Sequence, residues 1–121
     1  MPAVAGDDYC YLTTTGRRSG RPHEIEIWYV EAPSDGTLYL LAGAGDGSDW
    51  VRNLRTDAAC TVRVGTRDAP LRSARGRLLD EPTDEARVAR DLVFAKFQPR
   101  NSGDLSSWRE SSLPVALDLD P

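Results

Sequence analysis

Residues 13–22 are the part of the chain best suited to bind a charged ligand. They read Thr-Thr-Thr-Gly-Arg-Arg-Ser-Gly-Arg-Pro, so that Arg17, Arg18, Ser19 and Arg21 lie around two glycines. Glycine permits positive φ and a close approach of the backbone to a ligand, while guanidinium groups bind phosphate or carboxylate oxygens in bidentate geometry. The segment therefore predicts an anion-binding turn. A solvated β-turn whose arginines only aid solubility is the alternative interpretation.

The charge of the whole chain limits the ligands that such a turn can serve. The 121 residues include 15 Lys and Arg against 19 Asp and Glu, which gives a formal net charge of −4. A negative overall field repels nucleic acid and anionic membranes, so neither is expected as a general partner. A basic turn on an acidic protein favours a small anionic ligand instead. The sequence also shows no transmembrane segment and no signal peptide, so a cytoplasmic protein is expected.

Cysteine and histidine are too few to indicate a metal centre or a nucleophilic active site. Cys10 and Cys60 lie singly in apolar stretches, and His23 is the one histidine. Neither cysteine has a partner at Cys-x-x-Cys spacing, so both are expected to be reduced thiols in the core. No Gly-x-Ser-x-Gly motif accompanies the histidine. The sequence therefore predicts no metal site, and it assigns no catalytic residue.

The spacing of apolar residues predicts about six short strands and two or three helices. The strands fall at residues 9–14, 24–30, 38–42, 61–64, 71–79 and from 114 onward, and the helices fall at 49–55, 83–97 and 105–110. Ser48 and Thr83 are suitable N-caps for the first two helices, and Pro99 ends the longer one. In the second strand Ile25 and Ile27 alternate with Glu24, Glu26 and Trp28 and should face the opposite side.

This order of elements predicts a mainly β protein with flanking helices, of the α+β class. About six antiparallel strands would form a barrel or rolled sheet, with the helices packed on one side. The chain contains no repeats, no long linker and no low-complexity segment. Residues 1–121 are therefore expected to form one domain.

Several motifs then occur in an order that is typical of one enzyme family. The Arg-rich turn is followed by an alternating strand, a Gly-rich loop, the run Trp50-Val51-Arg52-Asn53-Leu54, and later Trp108 with Leu113-Pro114-Val115. Over nearly the whole chain this order resembles the deazaflavin-dependent nitroreductase family, actinobacterial enzymes that use coenzyme F420. The resemblance implies the split β-barrel fold, which FMN-binding flavoreductases and pyridoxamine-phosphate oxidases share.

The resemblance also implies a set of cofactor-binding residues. In the family the Arg-rich turn holds the phosphate and acidic tail of the cofactor, the following strand lies along the deazaflavin ring, and the Gly-rich loop and the next helix contact the cofactor. His23 stands where many relatives carry arginine. Carried over to this chain, the site comprises Arg17, Arg18, Ser19, Arg21, His23, Ile25, Glu26, Ile27, Trp28, Gly43, Ala44, Gly45, Ser48, Trp50, Arg52 and Asn53. For the tryptophans, a role in core packing is the alternative.

The implied activity is an F420-dependent oxidoreductase that passes a hydride to an electron-poor quinone, enone or nitro compound. Nitroimidazole-activating relatives carry tyrosines ahead of the last tryptophan, whereas residues 97–108 contain none, so that substrate is not implied. Two alternatives stay open: a protein that binds a flavin, a deazaflavin or a lipophile without catalysis, and an FMN-dependent reductase of the same fold. Split barrels often pair, so the resemblance also allows a homodimer.

Overall fold

Seven strands and three α-helices make up the part of the chain that the structure, a computed structural model, describes: residues 8–34 and 36–121. The strands are β1 (Tyr9–Thr15), β2 (Pro22–Trp28), β3 (Val30–Glu31), β4 (Thr37–Ala42), β5 (Ala59–Val64), β6 (Arg72–Leu78) and β7 (Leu113–Leu119). The helices are α1 (Asp49–Thr56), α2 (Asp84–Phe97) and α3 (Ser106–Ser111), and short 3-10 turns span Gly45–Gly47 and Gln98–Arg100. No helix of this part combines the length and the apolar character that a membrane span requires.

The strands form one antiparallel sheet in the order β2-β1-β5-β6-β7-β4-β3. β2 and β3 therefore occupy the two edges, although Tyr29 alone separates them along the chain. A flat sheet of seven strands would keep its edges more than about 25 Å apart, since neighbouring strands are about 4.8 Å apart. The sheet must therefore be rolled up until its edges meet, and the chain itself, rather than a hydrogen-bonded ladder, joins them at Tyr29.

The inside of the rolled sheet is the main core. Leu12, Leu40, Val62 and Leu117 come from four different strands and are completely buried there. On β7, Val115 and Leu117 face this core and Ala116 between them faces the opposite side, as the alternation in the sequence predicted. Helix α1 joins this core through the side chains that its apolar face presents, Trp50, Val51 and Leu54.

A second core lies outside the sheet, where α2 and α3 cover β4 and β7. Phe97 and Val93 of α2 pack there against Tyr39, Leu41 and Ala116. Thr83 begins α2 as predicted, because its Oγ1 accepts a hydrogen bond from the amide of Ala86 at 3.2 Å. α2 and α3 thus lie outside the sheet, whereas α1 packs on the inner core, so the prediction that all helices lie on one side is wrong for α1.

Several local predictions need correction. The described residues form seven strands rather than the predicted six, because the two-residue strand β3 is too short to show an alternating pattern. Ser48 stands at the N-cap of α1, but its side chain makes no capping hydrogen bond. Helix α3 begins and ends one residue later than predicted. The prediction that there is no signal peptide concerns the amino terminus, where residues 1–7 lie outside the described residues.

Both cysteines are buried, free thiols, as predicted. Burial raises the pKa of Cys10 to about 12 and that of Cys60 to about 11. A thiol with so high a pKa is almost entirely protonated at neutral pH, and the thiolate is the reactive form. Both side chains therefore serve packing rather than chemistry.

A network of ion pairs fastens the start of α2 to the sheet. The guanidinium of Arg77 donates to Glu85 at 2.8 and 2.9 Å and to Asp118 at 2.6 and 3.1 Å. Tyr39 and Thr37 donate their hydroxyls to the same two carboxylates, at 3.0 and 2.9 Å. The hydrogen bonds from Arg77 lower the pKa of Glu85 and of Asp118 below their ordinary values of 4.5 and 3.8.

Acid is expected to weaken this network. Because the folded pKa values of both carboxyls are lowered, their contribution to stability is present at neutral pH and is lost as the pH falls below about 4. We expect the melting temperatures of wild type and Arg77→Gln to differ at pH 7 and to converge towards pH 3. The difference should be small, since the Arg77 and Asp118 side chains are 44% and 41% exposed and water screens them. A difference independent of pH would contradict this assignment.

Candidate functional site

The Arg-rich segment forms a tight turn between β1 and β2, and its geometry favours glycine at both Gly16 and Gly20. Gly20 has φ of 72°, a conformation that side-chain-bearing residues rarely adopt. A Cβ on Gly16 would lie 2.7 Å from Oγ of Ser19. The amide of Gly16 donates to the carbonyl of Arg21 at 2.8 Å, and Oγ of Ser19 accepts from the amide of Arg21 at 3.1 Å. The turn is therefore closed by hydrogen bonds among its own residues.

The turn and the start of α1 enclose a shallow cavity of about 250 Å³, which we call the turn cavity. Its lining residues come from the turn, from β2 and from α1: Gly16, Arg17, Arg18, Ser19, His23, Asp49 and Asn53. Five of these seven residues belong to the predicted set. The structure thus brings the turn together with the first helix, which lies more than 25 residues further along the chain.

Arg17 is fully engaged within the protein. Its Nη1 donates to Oδ1 of Asn53 at 2.9 Å, and its Nη2 lies 3.2 Å from Oδ1 of Asp49. Its backbone amide donates to the same Asn53 oxygen at 3.1 Å. Asn53 is 2% exposed and donates in turn to Oγ1 of Thr14 at 3.0 Å. Arg17 therefore positions the turn on α1, and this placement gives no support to its predicted role as a ligand contact.

Replacing Asn53 with leucine is expected to lower the free energy of unfolding by about 2–4 kcal/mol, because it leaves the Thr14 hydroxyl and the Arg17 amide without their partner. Urea denaturation would measure the loss. The exposed neighbour Arg52→Gln, on the same helix, is the matched control and should change stability by less than about 1 kcal/mol. Equal stabilities of the two variants would show that the Asn53 contacts contribute little.

Arg18, Arg21 and His23 differ from Arg17. Within residues 8–34 and 36–121 their side chains make no hydrogen bond and no ion pair, and the two arginines are exposed. Arg18 and His23 line the turn cavity, whereas Arg21 immediately precedes β2 and does not line it. These three side chains, rather than Arg17, are the groups that can bind an incoming anion without giving up a bond inside the protein.

β2 can contact a ligand mainly through its backbone amides and carbonyls rather than through its side chains. Ile25 and Ile27 pack on the inner core, while Glu26, on the opposite face, accepts a hydrogen bond from the Tyr11 hydroxyl at 2.8 Å. The predicted contacts Ile25, Glu26 and Ile27 therefore cannot line one surface through their side chains. This follows from strand geometry, since successive residues face opposite sides of a sheet.

The outer edge of β2 has no partner strand in the described residues. The ladder with β1 passes through the bond from the Gly16 amide to the Arg21 carbonyl and the bond from the Tyr29 amide to the Asp8 carbonyl. Bonded positions alternate along an antiparallel pair. The amides and carbonyls of Glu24, Glu26 and Trp28 therefore point away from β1. They form a row of unpaired backbone donors and acceptors that begins beside the turn cavity.

The Gly-rich loop after β4 is fixed in place by arginines of α1. Nε of Arg52 donates to the carbonyl of Asp46 at 2.6 Å, and Nε of Arg55 donates to the Asp46 carboxylate at 2.5 Å. Arg55 also binds Asp80 at 2.6 Å, which lowers the pKa of that carboxyl. Gly45 has φ of 52°, which requires glycine. Arg52 was predicted to contact the cofactor, but its Nε is already hydrogen-bonded to the Gly-rich loop.

Three aromatic side chains form a cluster where β2 ends. Trp28 stacks on Phe97 with ring centroids 4.3 Å apart, and Trp108 meets Trp28 edge-on at 5.7 Å. A Cβ on Gly43 would lie 3.0 Å from Nε1 of Trp108, so the Gly-rich loop reaches this cluster. Trp50, in contrast, is 7% exposed in the inner core, and its position favours packing over ligand contact.

The predicted site residues are thus divided by the structure. The turn cavity, the free edge of β2 and the Gly-rich loop adjoin one another, whereas Trp50 and the two isoleucines belong to the core. Sequence reasoning did not assign Asp49, Phe97 and Trp108 to the site. Gly43 and Trp108 are far apart in the chain, so their contact cannot be predicted from a local sequence pattern.

The model of the F420H(2)-dependent quinone reductase family matches residues 3–120. The chain belongs to this family. As a member of the F420H(2)-dependent quinone reductase family it is an oxidoreductase, and the resemblance to F420-dependent enzymes seen in the sequence is confirmed. The family match supports F420 as the cofactor and gives no support to FMN. No curated protein sequence matches the chain significantly.

Solved structures confirm the split-barrel fold. An F420-H2 dependent reductase, FDR-A, shares 18% identity, with 93% of this chain and 94% of that chain covered and a TM-score of 0.68. The heme storage protein HutZ from Vibrio cholerae shares 10% identity over 98% of this chain and 85% of its own, with a TM-score of 0.76. The conserved hypothetical protein Rv2991 from Mycobacterium tuberculosis shares 20% identity over 98% and 76%, with a TM-score of 0.67. At these identities the likeness concerns the fold alone.

Proposed function

We propose that this member of the family uses reduced F420 to reduce a quinone, with enones and nitro compounds as further acceptors of the same electron-poor kind. The observation that carries the proposal is the position of Arg18, Arg21 and His23 at the start of a free strand edge. The side chains of these three residues have no partner among the residues that the structure describes. An extended ligand with an anionic end and a polar ring fits such an arrangement.

The anionic end would bind at the turn. Arg18 and Arg21 offer guanidinium donors, His23 offers a ring N–H, and Arg17 keeps the turn in place on α1. An acidic protein needs such a local cluster, because its overall field opposes anion binding. The phosphate of F420 would therefore bind in the turn cavity, which Arg18 and His23 line.

The ring would lie along the free edge of β2. The backbone groups of Glu24 and Glu26 match a ring edge that carries both donors and acceptors, and Gly43 and Gly45 allow close approach from the opposite side because they lack side chains. Trp28 and Trp108 would form the end wall and exclude water. Bound F420 supplies the hydride, and the protein contributes positioning, so no nucleophile or acid–base pair is required of the chain.

A paired titration tests this proposal. Purified protein is titrated with F420 and with FMN at low and high salt, and reduced F420 is then mixed with a naphthoquinone, an enone and a nitroarene. We expect F420 alone to bind, more weakly at high salt, and the quinone to be reduced. Binding without oxidation of reduced F420 would favour a non-catalytic carrier, and preference for FMN would favour a flavin-dependent reductase. The cytoplasmic location and a homodimer stay predictions.

A further inference from the structure

A second cavity of about 530 Å³ lies on the opposite side of the Arg-rich turn, and we call it the outer cavity. It spreads over the outer face of β1, β5 and β6 and is bounded by the turn and the chain end: Thr13, Thr14, Thr15, Gly20, Pro22, Ala59, Cys60, Thr61, Ser73, Ala74, Arg75 and Asp120 line it. Nothing in the cofactor site described above accounts for this cavity.

The strand register arranges its polar groups in two rows. Thr13 pairs with Thr61, and Thr61 pairs with Ser73, so three hydroxyls lie side by side across three strands. In the next row Ala59 pairs with Arg75. Cys60 lies between the rows and is buried in the inner core, which places both rows on the outer face. The small side chain of Ala59 leaves a depression beside the guanidinium.

These groups have no hydrogen-bonding or ionic partner among residues 8–34 and 36–121. In the described part of the chain, Arg75 makes no ion pair and no hydrogen bond, and the hydroxyls of Thr13, Thr61 and Ser73 make none either. Most other arginines of β6 and α1 are engaged: Arg77 binds two carboxylates, as does Arg55. Asp120 lines the same cavity and provides one carboxylate as an acceptor. A guanidinium, three hydroxyls and a carboxylate together suit a ligand that has oxyanions and N–H or O–H donors.

We propose that the outer cavity binds an oxyanion through Arg75 and the hydroxyls of Thr61 and Ser73. The turn of residues 16–21 separates this cavity from the turn cavity, with Gly16 lining one and Gly20 the other. A ligand bound in the turn cavity could therefore extend over the exposed backbone of Gly20 and place a carboxylate in the outer cavity. The acidic glutamyl tail of F420 has the matching chemistry, with carboxylates for Arg75 and amide N–H groups for Asp120. Binding of the F420 tail in the outer cavity rests on the proposed function. Binding of a separate small anion there does not.

The test compares Arg75→Gln with Arg72→Gln. Both arginines are exposed on β6 and lack ion pairs among the described residues, but Arg72 lines a different cavity, beside Leu38 and Leu119. Each variant and the wild type are titrated with F420 carrying several glutamyl residues and with F420 cut back to its phosphate. In parallel, NMR follows the backbone amides of Thr61 and Ser73 while a triglutamate peptide or inorganic phosphate is added.

We expect Arg75→Gln to weaken binding of the tailed cofactor about tenfold, as the loss of one charge-assisted hydrogen bond predicts. Binding of the cut cofactor should not change, and Arg72→Gln should affect neither. If the tail has no effect but triglutamate or phosphate shifts the Thr61 and Ser73 amides in wild type and not in Arg75→Gln, the cavity binds a separate anion. If neither effect occurs, the proposal is wrong. Wild-type protein that fails to bind F420 would overturn the proposed function, and the NMR titration would still decide this inference.

Discussion

Replacing Phe97 with alanine is expected to lower the free energy of unfolding by about 3–5 kcal/mol. Phe97 is 1% exposed and ends α2, where its ring stacks on Trp28 at a centroid distance of 4.3 Å. Its loss creates a cavity between α2 and the sheet and removes the partner of Trp28. For a domain of this size the melting temperature should fall by about 12–20 °C.

Phe94 provides the matched control for this variant. It lies one turn earlier on α2, is only partly buried, and carries the guanidinium of Arg109 over its ring at 4.4 Å. Phe94→Ala should therefore lose less than half as much stability as Phe97→Ala. Calorimetry or urea denaturation measures both. Equal losses would mean that the second core under α2 does not depend on the stack with Trp28.

Neutralising Arg18 and Arg21 together is expected to weaken F420 binding by about a hundredfold or more. Two charge-assisted hydrogen bonds contribute about 1.5–3 kcal/mol each, and a factor of ten corresponds to about 1.4 kcal/mol. Neither side chain has a partner in the described part of the chain, so Arg18→Gln with Arg21→Gln should leave the melting temperature nearly unchanged. Fluorescence titration at low salt measures the affinity.

A second double variant, Arg72→Gln with Arg87→Gln, separates local contact from overall charge. It also removes two positive charges, but from exposed sites on β6 and α2. It therefore changes the long-range electrostatic field of the protein to a similar extent. It should change the affinity less than about threefold, since exposed charges beyond a Debye length of about 8 Å are screened. If both double variants weaken binding alike, the arginines act through the field and not through the turn.

Local signals in the sequence predicted most of the fold. Both Thr83 as the N-cap of α2 and the alternation of β7 were predicted from residues within one element. The structure confirms both, since Thr83 caps α2 and Val115 and Leu117 lie in the inner core while Ala116 lies in the second core. β3 was not predicted, because a strand of two residues is too short to show an alternation of apolar and polar side chains. Its existence depends on pairing with β4, through Val30 and Tyr39.

The candidate site was predicted less completely, for a similar reason. The chemistry of the turn was evident from its composition, but the partner of each arginine was not. Arg17 meets Asn53 across 36 residues, so composition cannot distinguish a guanidinium that holds the fold from one that is left for a ligand. Trp50 and Trp108 likewise look alike as residue types, and only the packing places the first in the inner core and the second beside Gly43.

The rolled sheet has a consequence for how the chain folds. β2 and β3 are neighbours in sequence but lie at opposite edges, so no strand can be added in sequence order from one end of the sheet to the other. Joining β4 to β7 brings together residues as far apart as Thr37 and Asp118, 81 positions along the chain. Pairings of such long range are slow to form because the loop entropy is lost before the contacts are gained. Until α2, α3 and β7 have been synthesised, the earlier strands have no complete sheet to join, and their apolar faces stay exposed to other nascent chains.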